Sequence, residues 1–502
     1  MTVVSRLALL LFVVLLACSP PQKTTSAVAR VKAAGVLRWG GDIQGGEPYV
    51  YDDPAAPGHL VGFEVELAAA IAKELGVRAE FVQNDWANLV PSLERGGFDV
   101  IMNGFEVTQS RVGRVLYTRP YYAFSERLMA RRSDDTIRDL ASLRGHKVGT
   151  LANSLAFDLL RGNAETIVYE GTEEPYFDLV NGRTDAVLLD DIIASRYGQP
   201  KPELRVAGDI ATGYYALGVR PADADLRVAI DDAIGAITAR GELQAILARS
   251  GLWNERQAPL RTWSATSQAE LLGTPPPTPP LGAGHIALFL KGAGVTLLVS
   301  VLAMTIAVPL GLLLAVARMF GGPFAARASA VYVEVYRGTP VLLQLYLLYY
   351  GLAPILKLGA LPAAILGLGM NYAAYEAEVY RAGIQAVPKA QLESALALGM
   401  STRLALRRVV LPQALRHAIP NVTNDFIALL KDSSLVSVIT VVELTKQMTI
   451  TAVDVRSWIG PGLLCAGMYF AMSYPLGVIA RRLEKKLLDG TRDAERDDEA
   501  AA

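Results

Sequence analysis

The chain has 502 residues, 52% of them hydrophobic and only 19% charged, against about 25% charged in an ordinary soluble domain. That length admits two or three domains, and the apolar excess calls for a membrane or an unusually large core. A net charge of −1 leaves no basic footprint for nucleic acid, and two cysteines, Cys18 and Cys465, are too few for a disulfide framework.

The apolar excess is uneven. Residues 30–260 carry charges every few positions, whereas residues 285–480 carry long apolar runs. At the start, Arg6 precedes the apolar stretch Leu7 to Leu16, with Ala17-Cys18 next. That stretch is too short to span a bilayer, which takes about 20 residues, but it suits the apolar region of a signal peptide over residues 1–18. Leu15-Leu16-Ala17-Cys18 resembles a lipoprotein cleavage site with Cys18 as the acylated residue. An ordinary signal peptide, with Cys18 incidental, is the other reading. With either one, the region after Cys18 is exported.

The exported part alternates strand and helix. Gly35 to Gly40 reads as a strand, Phe63 to Leu75 as a helix ended by Gly76, and Glu80 to Val82 as a strand. Leu89 to Leu93 reads as a helix, then Asp99 to Met102, Lys147 to Thr150 and Asp185 to Leu189 as strands. This alternation predicts a mostly parallel sheet covered on both faces, with ligands beyond the carboxyl ends of its strands.

Particular residues narrow the family. They are Leu60-Val61-Gly62-Phe63-Glu64-Val65-Glu66-Leu67, Trp86 with Leu89-Val90-Pro91-Ser92-Leu93, Gly96-Gly97-Phe98-Asp99 and Val107-Thr108-Gln109-Ser110-Arg111. Thr118-Arg119-Pro120-Tyr121-Tyr122, Leu143 to Gly149 and Gly182 to Ala186 continue the pattern. Over residues 33–253 the sequence resembles the family 3 periplasmic binding proteins for polar amino acids. The resemblance implies a two-lobed α/β domain over residues 30–253, with lobe one at about 33–122 plus 213–253 and lobe two between.

An amino acid offers a carboxylate that wants a guanidinium and an ammonium that wants an anion. The resemblance places Arg111 at the carboxylate-binding position and Asp190 at the ammonium-binding one, with the adjacent Asp191 as the rival acid. It places Ser154 in a turn that donates from lobe two, and Trp86 and Tyr49 at wall positions. Asp42 falls where some members meet a polar or cationic side chain. Core packing is the plainer reading of Trp86, and a turn role that of Asp42. The chain departs from the family at Glu106, where Ser or Thr is usual. Asp42, Glu106 and Asp190 together make the site acidic, so a neutral polar or basic amino acid is expected.

Residues 254–284 read as a linker containing Pro275-Pro276-Pro277-Thr278-Pro279-Pro280. Polyproline is a stiff spacer of about 3.1 Å per residue, and a tethered partner acts at an effective concentration near about 1 mM. Residues 285–490 then read as an all-α membrane domain of five helices, with a charged tail over 491–502. The expected spans are Ala293–Ala317, Val341–Leu356, Leu361–Ile384, Ile419–Val442 and Ile459–Ala480. Arg318, Arg327, Arg403, Arg407, Arg408, Arg416, Arg481, Arg482, Lys485 and Lys486 gather on one side. The positive side is cytoplasmic, so the C-terminus is expected inside and the binding domain outside the bacterial inner membrane.

Between the third and fourth spans lies the run Gln391 to Pro412, QLESALALGMSTRLALRRVVLP. It resembles the coupling motif of binding-protein-dependent ABC permeases, with Glu393, Ala395, Gly399, Leu411 and Pro412 at the motif's spacing. Physically it is helix, glycine-permitted turn, helix. An amphipathic loop lying on lipid headgroups is the plainer reading. Tyr336 to Gln344, Ala374 to Glu378 with Arg381, and Leu429 to Leu435 resemble segments of polar amino-acid permeases. Glu376, Glu378, Lys431 and Asp432 are candidates to line or gate a path, or else pair helices, and Glu378 and Arg381 are placed to pair one turn apart.

No Gly-Lys dipeptide occurs, so the chain lacks a Walker-type phosphate loop. The resemblance implies a separate cytoplasmic ATPase dimer that uses the ATP, with no cofactor on this chain. It also implies two membrane subunits, most simply as a homodimer, with a heterodimer as the alternative. An enzyme built on the same binding fold is disfavoured by the apolar spans after residue 285. A receptor or ligand-gated channel is disfavoured by the contiguous binding domain and by the short segment after Arg482.

Overall fold

The computed structural model describes residues 26–273 and 279–501, with the side chains of the last helix described as far as Arg482. The leader, Cys18 and most of the proline run lie outside the described residues. The chain divides into two compact units. One holds the residues up to Glu126, Asp190–Ile192 and Ala211–Pro275; the other holds Arg127–Leu189, Ile193–Ile210 and the chain from Pro276 onward. The N-terminal part is a mixed α/β, two-lobed domain, and the C-terminal part is largely helical.

The strands are β1 (Val36–Gly41), β2 (Tyr51–Asp52), β3 (Leu60–Val61), β4 (Arg78–Gln83), β5 (Val100–Ile101), β6 (Leu116–Arg131), β7 (Lys147–Leu151), β8 (Glu165–Tyr169), β9 (Ala186–Asp190) and β10 (Leu204–Val219). In the first unit β1 lies between parallel β4 and β5, and β5 takes β10 antiparallel with Gly218 opposite Ile101. In the second unit β7 lies between parallel β8 and β9. Strands β6 and β10 each contribute residues to both units.

The helix Phe63–Leu75 shows how the first unit forms. Phe63, Leu67, Ile71 and Leu75 recur at helical spacing and are all buried. Gly76 ends the helix at φ 73°, a left-handed conformation that costs glycine little. Glu64 lies on the same buried side, and its Oε1 accepts from the Gly104 N–H at 2.6 Å and the Tyr121 hydroxyl at 2.5 Å. Burial pushes its carboxyl up to about 7 against the pull of these donors.

The stretch expected to open the linker is instead folded onto this unit. Residues Glu255–Thr262 form a 3-10 helix and Ala265–Leu272 an α-helix. Gln257 is fully buried, accepting from the Ala123 N–H and donating to the Ala123 carbonyl, both at 2.8 Å. Trp263 packs on Tyr214 with ring centroids 5.1 Å apart, and Gln268 donates to the Thr118 carbonyl at 3.1 Å. Local composition marks 254–273 as a joint, but its Gln, Trp and Leu side chains find partners that sequence spacing does not reveal.

In the helical part of the second unit, Ala283–Phe320 packs along Ala360–Ala386. Small residues allow the approach: a Cβ on Gly311 would stand 2.5 Å from the Glu376 Cβ and 2.9 Å from the Ala373 carbonyl. Val299, Ala303, Leu345, Leu368, Leu429 and Ile439 share one buried cluster around this contact. Among the described residues, Ala283–Phe320 and Ile459–Arg482 are long and apolar enough to cross a membrane, and Val341–Gly351 is a shorter apolar helix. The expected span Ile419–Val442 is not one helix. The α-helix Leu411–Asp432 gives way to a 3-10 turn at Ser433–Ile439, and Thr440 stands at φ 67°. The Ser433 hydroxyl donates to the Leu430 carbonyl at 2.9 Å, a local bond that competes with continued helix. Within the same unit, residues 161–183 of the second lobe meet the helical part at Tyr349–Tyr350, Lys446 and Asp454.

Glu64 and Gly311 each give a measurable outcome. A buried acid with a raised pKa binds its proton more tightly folded than unfolded, so its contribution to stability falls as pH rises from about 4.5 to about 7. Replacing Glu64 by Gln is expected to flatten that part of the pH profile in denaturant titrations of the detergent-solubilised chain. Gly311→Leu is expected to separate the two packed helices and lower the thermal midpoint by several degrees. The same change at the open Gly294 is expected to be neutral, as nothing lies within 4 Å of its added Cβ.

Candidate functional site

The binding lobe carries a run of contacts from Arg111 to Asp190. Thr108 to Arg111 turns tightly, with the Arg111 N–H donating to the Thr108 carbonyl at 3.2 Å. The Arg111 guanidinium lies over Phe105 at 4.4 Å and Trp86 at 5.1 Å, and donates to the Glu106 carbonyl at 3.0 Å. These aromatic faces hold a buried cation in place. Glu106 pairs with Tyr215 across an antiparallel bridge, and its carbonyl also accepts from Tyr117 at 3.1 Å. The Tyr215 and Tyr49 hydroxyls lie 2.9 Å apart, and Tyr49 donates to Asp190 Oδ1 at 3.2 Å. Asp190 Oδ1 also accepts from the Ile192 N–H at 2.9 Å, and Asp190 is only 2% exposed.

This arrangement brings Arg111, Glu106, Tyr49 and Asp190 into one connected set, with Trp86 against the arginine. Burial, and after it the charge of Asp190, pushes the Tyr49 and Tyr215 hydroxyls well above their ordinary value, so both stay neutral. Asp190–Ile192, expected in lobe two, group with the first unit. The two neighbouring acids are also distinguished. Asp191 accepts from the Ser125 N–H at 3.2 Å and pairs with Arg256 at 2.7 Å, so its charge is met within the fold.

Asp42 sits apart from the set in its bonding. Oδ1 accepts from the Gln44 N–H at 3.0 Å and from Gln83 at 3.2 Å, and Oδ2 accepts from the Trp86 N–H at 2.9 Å. That is the turn role the sequence left open, and it fixes the backbone under Trp86. Ser154, in the second unit, caps the helix Leu155–Leu160: its hydroxyl accepts from the Phe157 N–H at 3.0 Å and donates to the Leu151 carbonyl at 2.9 Å. Tyr215 and Phe105 were not singled out in the sequence. Both are fully buried, and the only local signal for them is an aromatic in a strand or beside one.

In the helical domain, Lys389–Ala397 and Thr402–Ala405 are helices separated by Gly399 at φ 83°. Ala395 is buried, Glu393 is exposed, and Leu398 is 81% exposed. The half-buried Leu411 begins the helix Leu411–Asp432, with Pro412 in its first turn, where the missing N–H costs nothing. Glu378 pairs with Arg381 at 2.6 Å and with Arg318 at 2.5 Å. Glu376 is fully buried beside Gly311. Asp432 accepts from the Tyr372 hydroxyl at 2.7 Å, while Lys431 is exposed. A cavity of about 510 Å³ is lined by Arg337, Asn371, Tyr372, Tyr375, Asp425 and Asp432, among others. Among the described residues there is no group of His, Cys, Asp and Glu that would hold a metal.

Residues 38–251 match the model of bacterial extracellular solute-binding proteins, family 3. Residues 307–489 match that of the binding-protein-dependent transport system inner membrane component. The chain is similar to the probable amino-acid permease protein YxeN of Bacillus subtilis (strain 168), 36% identical over 197 residues, covering 38% of this chain and 88% of that protein. It is similar to the probable amino-acid ABC transporter permease protein PatM of Vibrio harveyi, 38% identical over 171 residues, covering 33% and 77%. It is also similar to the glutamine transport system permease protein GlnP of Escherichia coli (strain K12), 37% identical over 209 residues, covering 40% and 94%. An α/β two-lobed domain ahead of a helical domain, with both matches in one polypeptide, makes this chain a member of the binding-protein-dependent amino-acid ABC importers, as a subunit that joins solute-binding and permease parts.

Proposed function

We propose that the outer domain captures a neutral polar or basic amino acid between Arg111 and Asp190 and delivers it to the helical domain of the same chain. The observation that carries this reading is the connected set from Arg111 through Glu106, Tyr215 and Tyr49 to Asp190. Arg111 meets the ligand carboxylate with its remaining N–H donors. Asp190 accepts the ammonium. Trp86 forms a wall, and Tyr49 orients Asp190. Glu106 adds negative charge beside the site and so selects against acidic side chains. Asp42 contributes by holding the Trp86 backbone, and Ser154 by fixing the turn from which lobe two donates. The Escherichia coli relative is a glutamine transport permease, which agrees with a polar amino acid as substrate.

The binding domain lies outside the membrane and the C-terminus inside, with five spans in the helical domain, residues 1–18 as the leader and Cys18 as a lipid anchor. The exposed Arg403, Arg407, Arg408 and Arg416 support this orientation, as do Arg481 and Arg482. So does the second lobe, which meets Tyr349, Lys446 and Asp454, all in the loops expected outside. The cavity around Arg337, Asp425 and Asp432 offers both charge signs to a zwitterion crossing the membrane domain, with Glu376 packed behind it and Glu378 neutralised by two arginines. Residues 391–412 seat in a separate cytoplasmic ATPase, with the exposed Leu398 as their apolar projection. Two copies of this subunit serve one ATPase pair.

Calorimetry on the purified chain checks the capture site. Arg111→Met and Asp190→Asn are each expected to weaken amino-acid binding at least about a hundredfold, since each leaves a ligand charge unpaired. Trp86→Ala is expected to weaken it less. Tighter binding of glutamate or aspartate than of arginine, lysine or glutamine would refute the substrate class. Coupling is checked in proteoliposomes containing the partner ATPase. Uptake is expected without any added binding protein, and Gly399→Val, which strains a left-handed position, is expected to cut uptake about tenfold with ligand affinity unchanged.

A further inference from the structure

The second lobe and the helical domain share a buried polar knot. Asp178 is 1% exposed. Its Oδ2 accepts from the Tyr169 hydroxyl of the same lobe and from the Tyr349 hydroxyl of the helical domain, both at 2.7 Å. Its Oδ1 pairs with Arg183 at 2.9 Å. Arg183 in turn donates to the Tyr349 carbonyl at 2.9 Å and lies over the Tyr349 ring at 3.9 Å. One tyrosine of the helical domain therefore serves both members of a buried ion pair.

Flanking contacts pin the same face. Phe177 meets Tyr350 with ring centroids 5.8 Å apart. Lys446, only 4% exposed, pairs with Glu170, and Arg161 pairs with Asp454 at 2.6 Å. A docking face that forms and dissolves each cycle has polar groups that water serves when it opens. Here, separation would take the hydroxyl donor from a buried carboxylate, and the ring and carbonyl from a buried guanidinium. Partial loss of partners around a buried pair costs far more than loss of a surface ion pair.

We propose that the second lobe is seated throughout the cycle on the helical domain of its own chain by this Asp178–Arg183–Tyr349 knot, so that capture and release proceed by movement of the first lobe alone. The proposal rests on the importer reading but makes a separate claim: the bound partner of this lobe face is the chain's own outer loops, in every ligand and nucleotide state. Arg161 and Asp454 mark its rim, where cysteines disturb the knot least.

The test uses the full chain with its ATPase in proteoliposomes, carrying Cys465→Ser with Arg161→Cys and Asp454→Cys, and a short bismaleimide cross-linker. Cross-linking yield is expected to be the same with and without amino acid and with and without ATP. A severalfold change in yield between these states overturns the proposal. The cross-linked protein is expected to keep uptake within about twofold of the uncross-linked one, and arrest of uptake with binding intact also overturns it. Lys446→Glu is expected to lower uptake about tenfold with amino-acid affinity unchanged, and the swap Glu170→Lys with Lys446→Glu to restore it. Unchanged uptake in the single variant, or failure of the swap to restore it, counts against the proposal. Absence of ATP-driven uptake by the unaltered chain is a failure of the importer reading instead, and the cross-linking yields then decide the seating by themselves.

Discussion

The hydrogen bond from Tyr49 to Asp190 is the contact on which the binding lobe's arrangement depends. It ties the end of β9 to the first unit, so that Asp190–Ile192 group with residues far away in sequence. A carboxylate this deeply buried needs donors, and Tyr49 and the Ile192 N–H supply them. Tyr215 extends the chain of contacts to the strand bridge at Glu106, whose carbonyl orients Arg111. Opposite charges at the two ends of a rigid aromatic set suit a small zwitterion, which carries opposite charges at fixed spacing.

The acids of this protein differ by their partners more than by their residue type. Asp190 is held by neutral donors, the Tyr49 hydroxyl and the Ile192 N–H, whereas Asp191, one residue on, meets Arg256. Asp42 is consumed by a turn and by the Trp86 backbone. Glu64 holds Gly104 and Tyr121 from beneath the lobe. Asp178 joins the second lobe to the helical domain. The acidity that favours a neutral or basic ligand therefore rests on Glu106 and Asp190, with Asp42 withdrawn.

In the helical half, close approach replaces charge as the organising constraint. Without water to drive apolar association inside a bilayer, helices gain from small residues that let backbones meet. Gly311 and Gly369 do this along the Ala283–Phe320 and Ala360–Ala386 pair. Charges that remain there are matched, as Glu378 is by Arg318 and Arg381, or line the cavity with Arg337 and Asp432. The coupling segment is built differently, from two short helices around a left-handed glycine with an exposed leucine beside it.

The sequence by itself determined the features that local chemistry controls. Alternating apolar patterns gave the order of strands and helices, Gly76 gave a helix end, and the spacing from Glu393 to Pro412 gave a helix–turn–helix with its glycine at φ 83°. The types of charge required by a zwitterion pointed to Arg111 and Asp190. Only the tertiary structure decided which partner each charged group meets. It separated Asp190 from Asp191, committed Asp42 to a turn, folded residues 255–272 onto the first unit and ended the helix from Leu411 at Asp432. The physical reason is common to all four. Spacing along a chain reports periodicity and backbone freedom, but a buried polar group is governed by donors and acceptors brought from elsewhere in the sequence, which only packing supplies.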